Sequence, residues 1–153
     1  MITTIALAVL LTQTPQKAEP KSDLTVFRED VLLETNALRI ENKLNELALN
    51  PVLSQVAQEL AEDLARRKVL SHTDSKGRNL RKRIEDAGYD WRSIAENVGS
   101  GFQTPAEFVK AWSKSKGHLK NLLDPDAKEI GVGMAKNKNV AYTVQIMASR
   151  SDQ

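Results

Sequence analysis

The segment Ile130-Gly131-Val132-Gly133-Met134-Ala135-Lys136-Asn137-Lys138-Asn139-Val140-Ala141-Tyr142-Thr143-Val144-Gln145-Ile146 decides the fold class. Ile130, Val132 and Met134 alternate with other residues, and so do Val140, Tyr142, Val144 and Ile146. That period of two is the mark of strands whose successive side chains point to opposite faces. Asn137-Lys138-Asn139 separates the two runs, so they read as an antiparallel hairpin. Upstream, Trp91 to Val98 can supply a third strand.

Everything before that strand is helical in pattern. From Asp23 to Glu46, Val26, Phe27, Val31, Leu32, Leu33, Leu38, Leu44 and the following Leu47 recur at near-helical spacing, with a break expected near Asn45. Asn50-Pro51 is an N-cap with proline at the first helical position, and Leu53, Val56, Ala57, Leu60 and Leu64 form a core stripe running to about Lys68. Asn79 caps a third helix through Leu80, Ile84 and Ala87, which Gly88 ends in a left-handed conformation. Arg78, Arg81, Lys82 and Arg83 read as its solvated basic face. Thr104-Pro105-Ala106-Glu107 is a capping box ahead of Phe108, Val109, Ala111 and Trp112. Helices first and strands last exclude a regular βαβ alternation and predict an α+β fold with helices packed on an antiparallel sheet.

The chain has 153 residues, 41% hydrophobic and 27% charged, which suits one soluble domain. A net charge of +2, with acidic and basic residues interspersed, argues against nucleic acid. The absence of cysteine excludes disulfides, thiolate metal sites and a cysteine nucleophile. Ile5 to Leu11 is too short to span a bilayer and has the size of an export-signal core, although no basic residue precedes it; a buried N-terminal element is the alternative. Residues 1–22 are therefore expected to be signal peptide and polar linker, and residues 23–150 the folded domain. The expected location is extracytoplasmic, with no stable membrane span after processing.

Chemistry concentrates between Val69 and His118. The only two histidines, His72 and His118, bracket Glu96. His72 lies in a turn-rich loop, Glu96 sits among apolar residues ahead of two glycines, and His118 follows Gly117 and opens a new turn. Imidazoles titrate near neutral pH and bind divalent metals, and a neighbouring carboxylate can fix a tautomer or act as a base. All three stand at loop or element ends, so they are expected to share one cleft.

Several motifs occur in a specific order. They are Asn36; Leu47 to Leu53 leading into an alanine-rich helix; Ser71-His72; Ala95-Glu96-Asn97; Trp112-x-x-Ser115-x-Gly117-His118-x-x-Asn121-Leu122-Leu123; Gly131-Val132-Gly133; and Tyr142-Thr143-Val144-Gln145. In this order the chain resembles the CAP superfamily of cysteine-rich secretory, venom-antigen and plant pathogenesis-related proteins, and within it the cysteine-free bacterial branch. The resemblance implies an α-β-α sandwich around a small antiparallel sheet, and secretion. Eukaryotic members carry a cavity tetrad of two histidines and two glutamates. His72 and Glu96 match its first histidine and first glutamate, whereas Ser115 and Tyr142 stand where the second glutamate and second histidine would be. The ligand cleft implied is His72, Glu96, His118, Ser115, Tyr142 and Gln145.

Three readings of these residues stay open. His72, His118 and Glu96 could bind zinc or another divalent cation, weakly, since neither hydroxyl replaces a missing ligand well. Glu96 could be the base of a metal-assisted hydrolase acting on peptide or cell-wall material, with Ser71, Thr73 or Ser115 as nucleophile. Or the three could be structural polar residues that tie loops to the sheet. The leading functional expectation is a non-enzymatic module that binds a small apolar, lipid or envelope-derived ligand; the hydrolase is the alternative.

Overall fold

A computed structural model describes residues 22–152. The export segment expected over residues 1–22 thus lies, except for Ser22, outside the described residues. Five helices and four strands follow in the order α1 (Asp23–Glu41), β1 (Ala48–Leu49), α2 (Pro51–Arg67), α3 (Leu80–Asp86), β2 (Trp91–Ser100), α4 (Pro105–Ser113), α5 (Lys116–Leu122), β3 (Glu129–Asn137) and β4 (Val140–Arg150). The strands form one sheet in the order β1-β3-β4-β2. The β3–β4 hairpin and the β2–β4 pair are antiparallel, as the sequence predicts, while the two-residue β1 pairs parallel with β3. The sheet is therefore mixed. β1 is too short for any periodicity to reveal it.

The sandwich arises because the inner strands are buried on both faces. On one face, Tyr142, Val144, Ile146 and Ala148 of β4 pack with Leu53, Val56, Leu60 and Leu64 of α2 and Ile84 of α3. On the other, Ile130, Val132, Ala141 and Met147 meet Phe27 and Val31 of α1, Phe108 and Trp112 of α4 and Leu122 of α5. Each fully buried leucine in these clusters stabilises the fold by about 1.5–3 kcal/mol relative to exposure. Helix α2 lies directly on β3 because that strand offers it glycines. A Cβ on Gly131 would stand 2.2 Å from the Leu53 carbonyl carbon, and one on Gly133 would stand 2.3 Å from that of Ala57.

The ends of the helices follow their sequence signals, with one correction. Asn50 accepts from the N–H groups of Val52 and Leu53, and the Thr104–Glu107 capping box is fully formed. Helix α1, however, stops at Glu41 rather than Glu46, because Lys43 adopts a left-handed φ of 60° that a helix cannot continue through. Leu44 and Leu47 fall outside it, and their helical spacing is coincidental. Leu47 is buried by another route, its backbone clamped in both directions by the Asn36 amide (Nδ2 to Leu47 O 3.0 Å; Leu47 N to Oδ1 2.8 Å). The buried line of α1 is Phe27, Val31, Thr35 and Arg39, at i,i+4 spacing; Val26 and Leu33, expected on the core face, are exposed.

Candidate functional site

Glu96 points from β2 toward α3, and its side chain is only 2% exposed. One carboxylate oxygen takes the Nδ1 of His72 at 2.8 Å, and the other accepts from Nη2 of Arg83 at 2.7 Å. The His72 loop is held at this distance from within. Asp74 ties back to the backbone N–H groups of Lys76 and Arg78, and Arg67 at the end of α2 donates to the carbonyl of Thr73. Arg83 also donates to the His72 carbonyl, at 3.3 Å. Loop, helix and strand thus meet on one carboxylate.

Composition places Arg83 on a solvated face, yet its side chain is 3% exposed. The spacing carries the correction: position 83 lies three residues after Leu80 and four before Ala87, on the apolar side of α3. Two of its nitrogens, Nε and Nη1, are buried without a hydrogen-bond partner among the described residues. Desolvating an unpaired guanidinium is costly, so Glu96 is the group that makes this burial tolerable.

The Nδ1–H of His72 donates to Glu96, which leaves Nε2 as the outward atom of an imidazole that is 61% exposed. The hydrogen bond to Glu96 raises the His72 pKa above the ordinary imidazole value, burial lowers it less, and the carboxylate charge reinforces the rise. His118, in α5, shows the opposite shift: burial lowers its pKa, and the positive charge of His72 lowers it further. The His118 ring therefore senses the charge of His72. It is the His118 carbonyl, rather than its ring, that takes a hydrogen bond, from Asn97 at 3.2 Å.

One turn after His118, Asn121 donates to the Glu96 carbonyl at 3.1 Å and to Asn97 Oδ1 at 2.9 Å. Asn97 continues to Gln145 at 3.1 Å, and Gln145 to Thr35 of α1 at 2.9 Å. This buried relay of amides joins α5, β2, β4 and α1 on the face of the sheet opposite Glu96. Gln145 belongs to it and is fully buried. Tyr142 packs on the α2 face, three residues and one sheet face away from Gln145. Ser115 is the N-cap position of α5 and makes no side-chain capping bond. Of the six residues grouped by sequence, His72 and Glu96 are in contact and His118 feels the charge of His72 from α5, whereas Tyr142 and Gln145 occupy opposite faces. Arg83, Asn97 and Asn121 are the members that sequence reasoning did not place in the site.

A groove of about 490 Å³ opens over the pair, lined by His72, Asn79, Leu80, Arg81, Ile94, Glu96 and Asn121 among others. Arg81 holds its guanidinium 5.1 Å from the Trp91 ring at the rim. A larger cavity of about 550 Å³ lies between the start of α1 and the start of α2, lined by Thr25, Arg28 and Asn50, and contains none of the imidazole–carboxylate residues. Converging polar groups assign a site better than volume does, so the smaller groove is the candidate. The donor set does not fit a three-ligand metal centre. Both Glu96 oxygens are occupied, and no three His, Asp or Glu side chains among the described residues form a group that could hold a metal ion.

The model of the CAP family, the cysteine-rich secretory protein family, matches residues 32–147. The chain belongs to this family. It is 29% identical over 119 residues to the uncharacterized protein YkwD of Bacillus subtilis, a match that covers 78% of this chain and 46% of that protein. The CAP domain here thus spans less than half of YkwD. An outer surface protein of Borrelia burgdorferi superposes with a TM-score of 0.74 at 27% identity, covering 80% of this chain and 94% of that one. An extracellular SCP-domain protein of Bacillus anthracis superposes with a TM-score of 0.77 at 20% identity, covering 87% and 45% of the two chains, a likeness of fold. No helix among the described residues is long and apolar enough to cross a membrane.

Proposed function

We propose that this CAP domain is an extracytoplasmic, non-enzymatic binding module, and that its ligand is a small amphiphile derived from the cell envelope. The observation that carries the reading is the state of Glu96. A general base must present a free oxygen to the proton it removes. Both Glu96 oxygens are engaged, one by the His72 Nδ1 and the other by a buried guanidinium whose charge would be stranded if that oxygen were released. The carboxylate acts as an anchor: it orients His72 so that Nε2 faces the groove and fixes the loop that forms one wall.

The groove has two characters. Leu80, Ile94 and Ala95 supply an apolar wall, while His72, Arg81, Asn79 and Asn121 supply donors and positive charge at its edge. That combination suits a ligand with a hydrocarbon body and an acidic or strongly hydrogen-bonding head. An outer-surface relative and an extracellular neighbour support the location. The test is equilibrium binding of a fluorescent long-chain fatty acid. Arg81→Glu and Ile94→Ser should each weaken it about tenfold, the cost of one charge or one apolar contact, and Glu96→Gln, assayed where it stays folded, should keep most of the affinity. Turnover of a peptide or cell-wall substrate that Glu96→Gln abolishes would replace this reading with the hydrolase.

A further inference from the structure

The hairpin end of the sandwich, far from the imidazole groove in the sheet, combines exposed apolar residues with lysines. Val140 at the start of β4 is 40% exposed, Phe102 is 38% exposed, and Val69 just past α2 is 41% exposed. They belong to three segments that hydrogen bonds tie to one turn. Asn137 donates to the Ala65 carbonyl at 2.7 Å, the N–H of Gly101 to the Ala141 carbonyl at 3.0 Å, and the Gln103 amide to the Asn139 carbonyl at 3.3 Å. Lys68, Lys136 and Lys138 are exposed on the same segments. No aspartate or glutamate occurs over residues 64–73, 97–106 or 130–151. Of the carboxylates that flank these stretches, Glu107 is spent on the N–H groups of Gln103 and Thr104, Asp63 on Arg66 and Arg67, and Glu62 on the Gln58 amide.

Two of these lysines sit where local structure does not favour them. Lys68 is the left-handed C-cap of α2, with φ 57°, and Lys138 is the left-handed first residue of the two-residue hairpin turn, with φ 53°. Both positions are ones where glycine costs least. The third left-handed lysine, Lys43, lies at the other end of the fold, after α1. Backbone preference therefore does not explain lysine at 68 or 138, and both side chains add positive charge to the same exposed end.

We propose that this end docks on an anionic membrane surface, with Phe102, Val140 and Val69 entering the headgroup boundary and Lys68, Lys136 and Lys138 meeting lipid phosphates. Interleaved apolar and cationic residues fit a lipid interface rather than a hydrophilic polyanion, because only the former gains from burying the aromatic and aliphatic side chains. The surface is independent of the groove ligand.

Sedimentation of the domain with vesicles of phosphatidylcholine, and of phosphatidylcholine mixed with phosphatidylglycerol, tests this. The mixed vesicles should pull the protein down, and added salt should release it. Lys138→Gly should lower partitioning roughly fivefold, the weight of one basic residue near an anionic surface, and yet leave the melting temperature unchanged or higher. Phe102→Ser with Val140→Ser should also weaken it. Equal binding to neutral vesicles, no loss in Lys138→Gly, or binding to soluble polyphosphate that matches the vesicles and ignores Phe102→Ser would each overturn the proposal.

Discussion

Glu96→Gln should be among the most damaging single polar changes in this domain, and for a reason unrelated to catalysis. The Glu96 and Arg83 side chains are 2% and 3% exposed and meet at 2.7 Å. The amide keeps the shape but removes the charge that balances the guanidinium. Arg83 would then face only neutral acceptors, the glutamine oxygen and the His72 carbonyl at 3.3 Å, while Nε and Nη1 are already unpartnered. Breaking one side of a buried pair typically costs about 3–5 kcal/mol, a large part of the roughly 5–15 kcal/mol that holds a domain folded. At this size that corresponds to a fall in melting temperature of about 6–20 °C. Urea denaturation followed by circular dichroism measures it. Adding Arg83→Met to Glu96→Gln should restore at least half of the loss, because the stranded charge is gone. A cost below about 1 kcal/mol for Glu96→Gln, or a double variant less stable than the single one, would refute the buried-pair account.

The two histidines should titrate on opposite sides of the ordinary imidazole value in NMR spectra, His72 above and His118 below. His72 therefore contributes stability that is complete below the ordinary imidazole pKa and is lost as pH rises through its raised folded value. The contribution of His118 is present above the ordinary value and is lost as pH falls through its depressed one. His72→Gln should abolish the first of these pH dependences in denaturation curves and weaken the second, whose shift the His72 charge partly causes, whereas His118→Gln should abolish the second. Gly131→Ala should cost about 3 kcal/mol or more by denaturation, beyond ordinary overpacking, because the new Cβ meets the backbone of α2 rather than a movable side chain. Calorimetric titration with zinc at pH 7.5 should give only weak, unsaturated heats. Tight binding abolished by both His72→Ala and His118→Ala would show that the site rearranges around a metal.

Much of the fold was legible because strong local rules act on it. The hairpin, the Asn50-Pro51 start and the Thr104 capping box each depend on a few adjacent residues. What escaped depended on distant partners. β1 exists only through its pairing with β3, and the end of α1 is set by the left-handed Lys43, a conformation that lysine does not announce. Arg83 is a charged residue on a buried helix face, so composition mislabelled it although helical spacing did not. In the site, the His72–Glu96 contact agreed with chemistry read from residue types. The separation of Tyr142 from Gln145 across the sheet followed from strand alternation, which a shared motif concealed.

The central claim, that the groove over the His72–Glu96 pair receives a ligand, is tested most directly by following backbone and imidazole NMR signals during titration with a long-chain fatty acid. The account predicts saturable shifts at His72, Asn79, Ile94 and Asn121, lost in Arg81→Glu. Saturable shifts confined to the cavity by Thr25 and Asn50, with the His72 signals unmoved, would contradict it.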